Sequence, residues 1–271
     1  MHKSAPAGAL DGEYQLGRLH FRGRQIQTTR AHITLLGGTE TYGRFMPDPY
    51  AKGLRRVLDC PVRNLGVING GLDCLQRVMQ LLQPQDRVQS IVLETPGLLM
   101  QSNPFYDVHP YRNDRITRLK PLFLNVFPKV DELTLHFVGH LWHQCKTWHP
   151  EQAGRLVQML RDTWLNTMEG ILLNCPAPVH LLHFAGNSAG GPRVTLPMIQ
   201  ALKDGLRSTT VIERDQPDFD SFKYDEWDEG LVYAMQGQLV HDSAVAALAT
   251  KITAQKSPAQ QALNGAFKLS A

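Results

Sequence analysis

HITLLGGTETYG, residues 32–43, is an apolar run that stops abruptly on two glycines, a Thr-Glu-Thr triplet, a tyrosine and a third glycine. A short apolar run closed by glycines reads as a buried strand ending in a tight turn, and the segments downstream of it decide the fold. YAKGLRRVL (50–58) reads as a short helix and VRNLGVI (62–68) as a second strand. LDCLQRVMQLL (72–82) carries apolar residues at helical spacing, and SIVLE (90–94) supplies a third strand. Strands alternating with helices imply βαβ crossovers and a mainly parallel sheet covered on both faces, so the expected class is α/β, doubly wound.

Working outward, YQLGRLHFRGRQI (14–26) breaks strand-like pieces with glycines, which predicts an edge hairpin within an N-terminal extension over 1–30. After the third strand the alternation is interrupted over 97–150, an insertion expected over the edge or mouth of the sheet. It then resumes with a long amphipathic helix (151–175), a fourth strand PVHLLHF (178–184), a helix (195–206) and a fifth strand STTVIE (208–213). HDSAVAALATKI (241–252) closes the set as a helix. This order gives one domain over 31–255 and a C-terminal tail over 256–271.

The chain has 271 residues, enough to bury a substantial core, and its 42% hydrophobic and 20% charged residues are those of a globular protein. The net charge of +3 comes from scattered basic residues with no stripe that would track a phosphate backbone, so nucleic acid is not an expected partner. No apolar leader opens the chain and no long uncharged apolar stretch occurs, which predicts a cytoplasmic protein without membrane insertion. Cys60, Cys74, Cys145 and Cys175 lack metal or redox spacing and are expected as reduced, packed thiols. The sequence sets no oligomeric state.

Gly38 to Phe45 mimics the spacing of a Walker phosphate loop, with Arg44 in place of lysine. Phe45 stands where magnesium needs a hydroxyl, and Pro47 and Pro49 disfavour a helix directly after Gly43. The alternative is a turn that presents the hydroxyl of Thr39 at a strand end.

Leu36-Gly37-Gly38-Thr39 resembles the Gly-Asp-Ser block of the SGNH, or GDSL-like, hydrolases, with Thr39 at the nucleophile position. Asn64-Leu65-Gly66-Val67-Ile68-Asn69-Gly70 resembles their second block, and Gln238-Leu239-Val240-His241 their Asp-x-x-His, with Asp242 and Ser243 as a helix cap. The resemblance implies a flavodoxin-like three-layer sandwich and an esterase or acyl transferase acting on a small polar or carbohydrate ester. It assigns Thr39 as nucleophile and His241 as base, with the amides of Gly38 and of Asn69 or Gly70, and Asn103, as oxyanion donors. No cofactor is implied. Gln238 replaces the orienting carboxylate, and Asp242, Glu213 and Glu40 are the candidate substitutes. GGTETYGRF and SNPFYDVHPYRNDR are also similar to a bacterial family of unassigned function.

The stretch 106–115 is the densest polar and aromatic cluster. Tyr106, His109, Arg112 and Arg115, with Glu40, are the expected substrate contacts, able to stack on a sugar or fork an anion. His136, His140, His143 and His149 lack the glutamate of a zinc motif, so no metal is expected. The acids of 215–230 lack calcium-loop spacing and read as a surface loop. Two further functions compete with ester chemistry: a catalytically silent protein binding a glycan or protein partner, and a transferase using a phosphate- or sulfate-bearing nucleotide.

Overall fold

A computed structural model describes residues 12–44, 46–186, 191–213 and 228–254, with the backbone alone for 228–236. The tail 256–271, Phe45 and most of 215–230 therefore lie outside the described residues. A hairpin of β1 (Glu13–Leu16) and β2 (Leu19–Arg22) comes first and forms a two-stranded sheet of its own.

Five strands form the central sheet: β3 (His32–Gly37), β4 (Val62–Gly66), β5 (Val88–Glu94), β8 (Val179–Ala185) and β9 (Ser208–Glu213). All neighbours are parallel, in the order β4-β3-β5-β8-β9. Counted within this sheet that is 2-1-3-4-5, the flavodoxin-like doubly wound order, whose direction reverses between β3 and β5.

Period-two alternation splits the core into two layers. Leu36, Leu65, Leu93 and Leu181 face α3 (Leu72–Met79) and the 24-residue α6 (Pro150–Leu173). Leu35, Val92 and Leu182 face α2 (Tyr50–Leu58) and α8 (Asp228–Thr253). Each such leucine contributes about 2 kcal/mol over leaving it exposed. The same alternation puts Glu94 on the face of Val92, and Phe184 on that of Leu182, beneath α2 and α8.

Between β5 and β8 the insertion folds as a second hairpin, β6 (Tyr106–Val108) with β7 (Ile116–Leu119), then α4 (Pro121–Val126) and α5 (Val138–Trp148). α7 (Leu196–Ala201) links β8 to β9.

Helix α8 begins at Asp228, not at a cap formed by Asp242 and Ser243. No proline interrupts 228–241, and Gly237 lies against the Met46 thioether, which a Cβ at that position would overlap. Gln238 and His241 thus sit inside a long helix, and residues 228–230 of the expected surface loop are its first turn.

Candidate functional site

The turn after β3 is a four-residue helix, α1 (Thr39–Tyr42), closed by Gly43 in the left-handed region at φ 75°. Its amides converge on the carboxylate of Glu94, the last residue of β5. Gly38 N donates to Glu94 Oε2 at 2.9 Å, Thr41 N at 2.8 Å and the Thr41 hydroxyl at 2.5 Å. Gly37 has no substitute here, because a Cβ would overlap both Thr41 Oγ1 and the Glu94 side chain. Burial raises the Glu94 pKa, and the charge of Glu40 adds to that; the three hydrogen bonds oppose it. Thr41 Oγ1 also lies 2.8 Å from the fully buried Tyr50 hydroxyl.

Thr39 turns the other way. Asn69 N donates to its hydroxyl at 2.9 Å, and the hydroxyl reaches Asn69 Oδ1 at 3.4 Å. Asn69 is left-handed at φ 57°, a conformation asparagine tolerates better than most residues. Its Nδ2 donates to Asp114 Oδ2 at 3.0 Å, which fixes the amide so that Oδ1 faces Thr39. Gly70 N is spent within the turn on Val67 O, at 2.9 Å.

His241 is fully buried beneath the sheet's carboxyl edge, stacked 6.1 Å from Phe184 and tilted 5.5 Å from Tyr50. Its Nδ1 accepts the Tyr50 N–H at 3.0 Å, which leaves the proton on Nε2, 3.2 Å from Glu40 Oε2. Of the three carboxylates considered for His241, Glu40 is therefore the one that meets it. Asp242 takes a hydrogen bond from Gln238 instead, at 2.9 Å, and Gln238 also spans both backbone groups of Asp48. The fold brings Thr39 to Asn69 and His241 to Glu40; it forms no hydrogen bond between Thr39 and His241.

The insertion residues divide. Tyr106 is fully buried and its hydroxyl donates to Leu99 O, so this ring is core rather than a ligand-facing surface. Asn103 is spent on its own turn, accepting from Phe105 N and Tyr106 N and donating to Gln101 O. Arg112 is exposed, 3.6 Å from Asp114. Arg115 lies over the Phe137 ring, and His109 Nδ1 accepts from Tyr111 N and Arg112 N. Asn113, fully buried, caps α3 by accepting from Gly71 N at 2.6 Å and Cys74 N at 3.1 Å.

A cleft of about 590 Å³ opens at the carboxyl ends of β5, β8 and β9, roofed by α5. Leu98, Met100, Trp142 and Phe184 supply apolar wall, and Thr95, His183, Arg193 and Glu213 supply polar groups. Sequence patterns do not reveal this cleft, since its walls come from four separated segments. The one hint is the general placement of ligands at that edge in open α/β sheets.

Among the described residues no group of three or more His, Cys, Asp or Glu is placed to hold a metal; His136, His140 and His143 are exposed on or beside α5. The four cysteines are free thiols, and burial pushes Cys74 and Cys145 up to about 12. No helix among the described residues is long and apolar enough to cross a membrane.

A family model described as a domain of unknown function (DUF6473) matches residues 2–256, and the chain belongs to that family. No curated protein and no solved structure matches the chain.

Proposed function

We propose that this chain is a binding protein for a small polar ligand, most simply a glycan, taken up in the cleft between β5, β8, β9 and α5. One observation carries this reading. The cleft has the volume and the mixed apolar and polar walls of a small-molecule site, at the sheet edge where doubly wound folds place ligands. Trp142 and Phe184 offer ring faces for the apolar side of a sugar, and Thr95, Arg193 and Glu213 offer the polar complement.

The groups that ester chemistry would recruit support binding over catalysis. Gly38 N donates to Glu94, and both His241 nitrogens are engaged within the protein. A panel of mono- and disaccharides followed by saturation-transfer NMR tests the reading. Signals expected for the wild type would weaken at least tenfold in affinity with Trp142→Ala; equal signals in both proteins, or none in either, would reject it.

Ester hydrolysis or acyl transfer is the second reading, favoured by the 2.9 Å contact that sets the Thr39 hydroxyl beside a fixed backbone donor, Asn69 N. Turnover of short-chain aryl esters that disappears in Thr39→Ala and His241→Ala supports it. Equal, negligible turnover in all three proteins rejects it.

A further inference from the structure

At the opposite end of the parallel sheet from the cleft, where β3, β4 and β5 begin, the N-terminal hairpin encloses a second pocket against the turn that precedes β5. Its volume of about 370 Å³ falls in the lower part of the small-molecule range. Of the described residues lining it, only Arg63 and Asp86 are charged, and they answer each other. Arg63 Nη1 donates to Asp86 Oδ2 at 2.8 Å, with the side chains 8% and 3% exposed, and Gln83 N donates to the same oxygen at 3.0 Å. Arg63 Nη2 donates to Leu81 O, and the Tyr14 hydroxyl to Asn64 O at 2.6 Å. The floor is therefore tied down and electrically neutral. At the rim stand Gln25, Gln83 and Gln85, exposed, whose side-chain amides make no hydrogen bond among the described residues. Leu16, Ile26 and Leu81, all half-buried, supply apolar wall.

A primary carboxamide offers a donor and an acceptor side by side, the complement of a nucleobase edge, and an aliphatic wall receives the flat face of a ring. An anionic ligand would need a free cation, and the one cation lining the pocket is held by Asp86. We infer that this pocket binds a neutral nucleoside through its base. The amides of Gln25, Gln83 and Gln85 take the base edge, and Leu16, Ile26 and Leu81 cover its face. The site is separate from the glycan cleft and independent of whether that cleft binds anything.

Isothermal titration of the full chain with adenosine, guanosine, cytidine, uridine, AMP and maltose tests the site. At least one nucleoside should bind, and AMP should bind no more tightly than adenosine, since no free cation meets its phosphate. Gln83→Leu/Gln85→Leu, both at exposed positions, should weaken nucleoside binding at least about tenfold. Gln200→Leu, at an exposed position of α7 away from the pocket, should leave it unchanged. The proposal is overturned if no nucleoside binds, if maltose binds in place of every nucleoside, if AMP binds more tightly than adenosine, or if binding survives the double substitution.

Discussion

Tyr50 donates its backbone N–H to Nδ1 of His241 at 3.0 Å, so the first turn of α2 is capped by an imidazole that arrives from the middle of α8. The neutral ring has one lone pair, and this bond uses it. His241→Ala removes the cap, leaves a buried N–H without an acceptor and empties space between Tyr50 and Phe184. A loss of about 3 kcal/mol is expected. Glu40→Gln keeps an acceptor for Nε2–H and should cost less than about 1 kcal/mol. Urea denaturation of the two variants checks this. A His241→Ala protein as stable as wild type would mean that the ring is not a structural tie.

Glu94 predicts a pH trend with a definite sign. Burial and the charge of Glu40 raise its pKa above the ordinary 4.5, against the pull of the Gly38 and Thr41 donors. A carboxyl raised on folding contributes stability below the unfolded pKa and loses it as pH rises through the folded value. Glu94→Gln retains an acceptor for Gly38 N and Thr41 N without the charge. Its stability relative to wild type should therefore improve steadily as pH is raised from 4 to 8 in chemical denaturation. A relative stability that worsens over that range would show that the donors outweigh the burial penalty.

Much of the fold is legible because three of the five central strands carry compact apolar runs, HITLLG, IVLE and HLLHF, and the intervening helices have clear periodicity. The start of α8 is not. His241-Asp242-Ser243 has the composition of a cap, yet the helix runs through it from Asp228, with His241 tied to Tyr50 N and Glu40 by contacts distant in sequence. The pairing of Thr39 with Asn69 accords with motif order, because β3 and β4 are neighbours and their carboxyl ends must meet. Glu94 escapes sequence reasoning: one acid at the end of an apolar strand has no pattern, and its role exists only because β5 lies beside β3. Tyr106 reads as a substrate contact from its polar and aromatic neighbours, yet β6 alternates, and Tyr106 and Val108 fall on its buried side.

A second pH effect runs the other way and comes from His180, 1% exposed in β8. Burial, reinforced by the charges of Arg207 and Lys251, lowers its pKa from 6.5 to about 4. A histidine lowered on folding gives stability that is present above the unfolded pKa and is lost as pH falls toward the folded one. The window is therefore pH 6.5 down to about 4, and the full effect is about 3 kcal/mol. His180→Gln removes the titration while leaving a side chain able to reach the Ser208 hydroxyl, which Nδ1 meets at 2.8 Å. Urea midpoints of the variant should fall less steeply than those of wild type across this window. Parallel curves would show that His180 does not govern the acid limb.

Gly71 is one of the points where the insertion meets the turn between β4 and α3. It precedes α3 at φ −124°, an ordinary extended conformation, so its need for glycine is one of space rather than of backbone freedom. A Cβ there would overlap the Met100 carbonyl and crowd Asn113 Oδ1 at 2.9 Å, while Gly71 N already donates to that Oδ1. Met100 is a wall of the cleft, and Asn113 holds the first turn of α3. Gly71→Ala therefore acts on both. It should cost about 2–3 kcal/mol by overpacking, and Asn113→Ala about 1–2 kcal/mol by loss of the cap. Because the added methyl group pushes on Asn113 itself, the double variant should be less destabilised than the sum by more than about 0.5 kcal/mol. A double-mutant cycle read by urea denaturation decides: strict additivity would mean that Gly71 and Asn113 act separately, and that the insertion is held elsewhere.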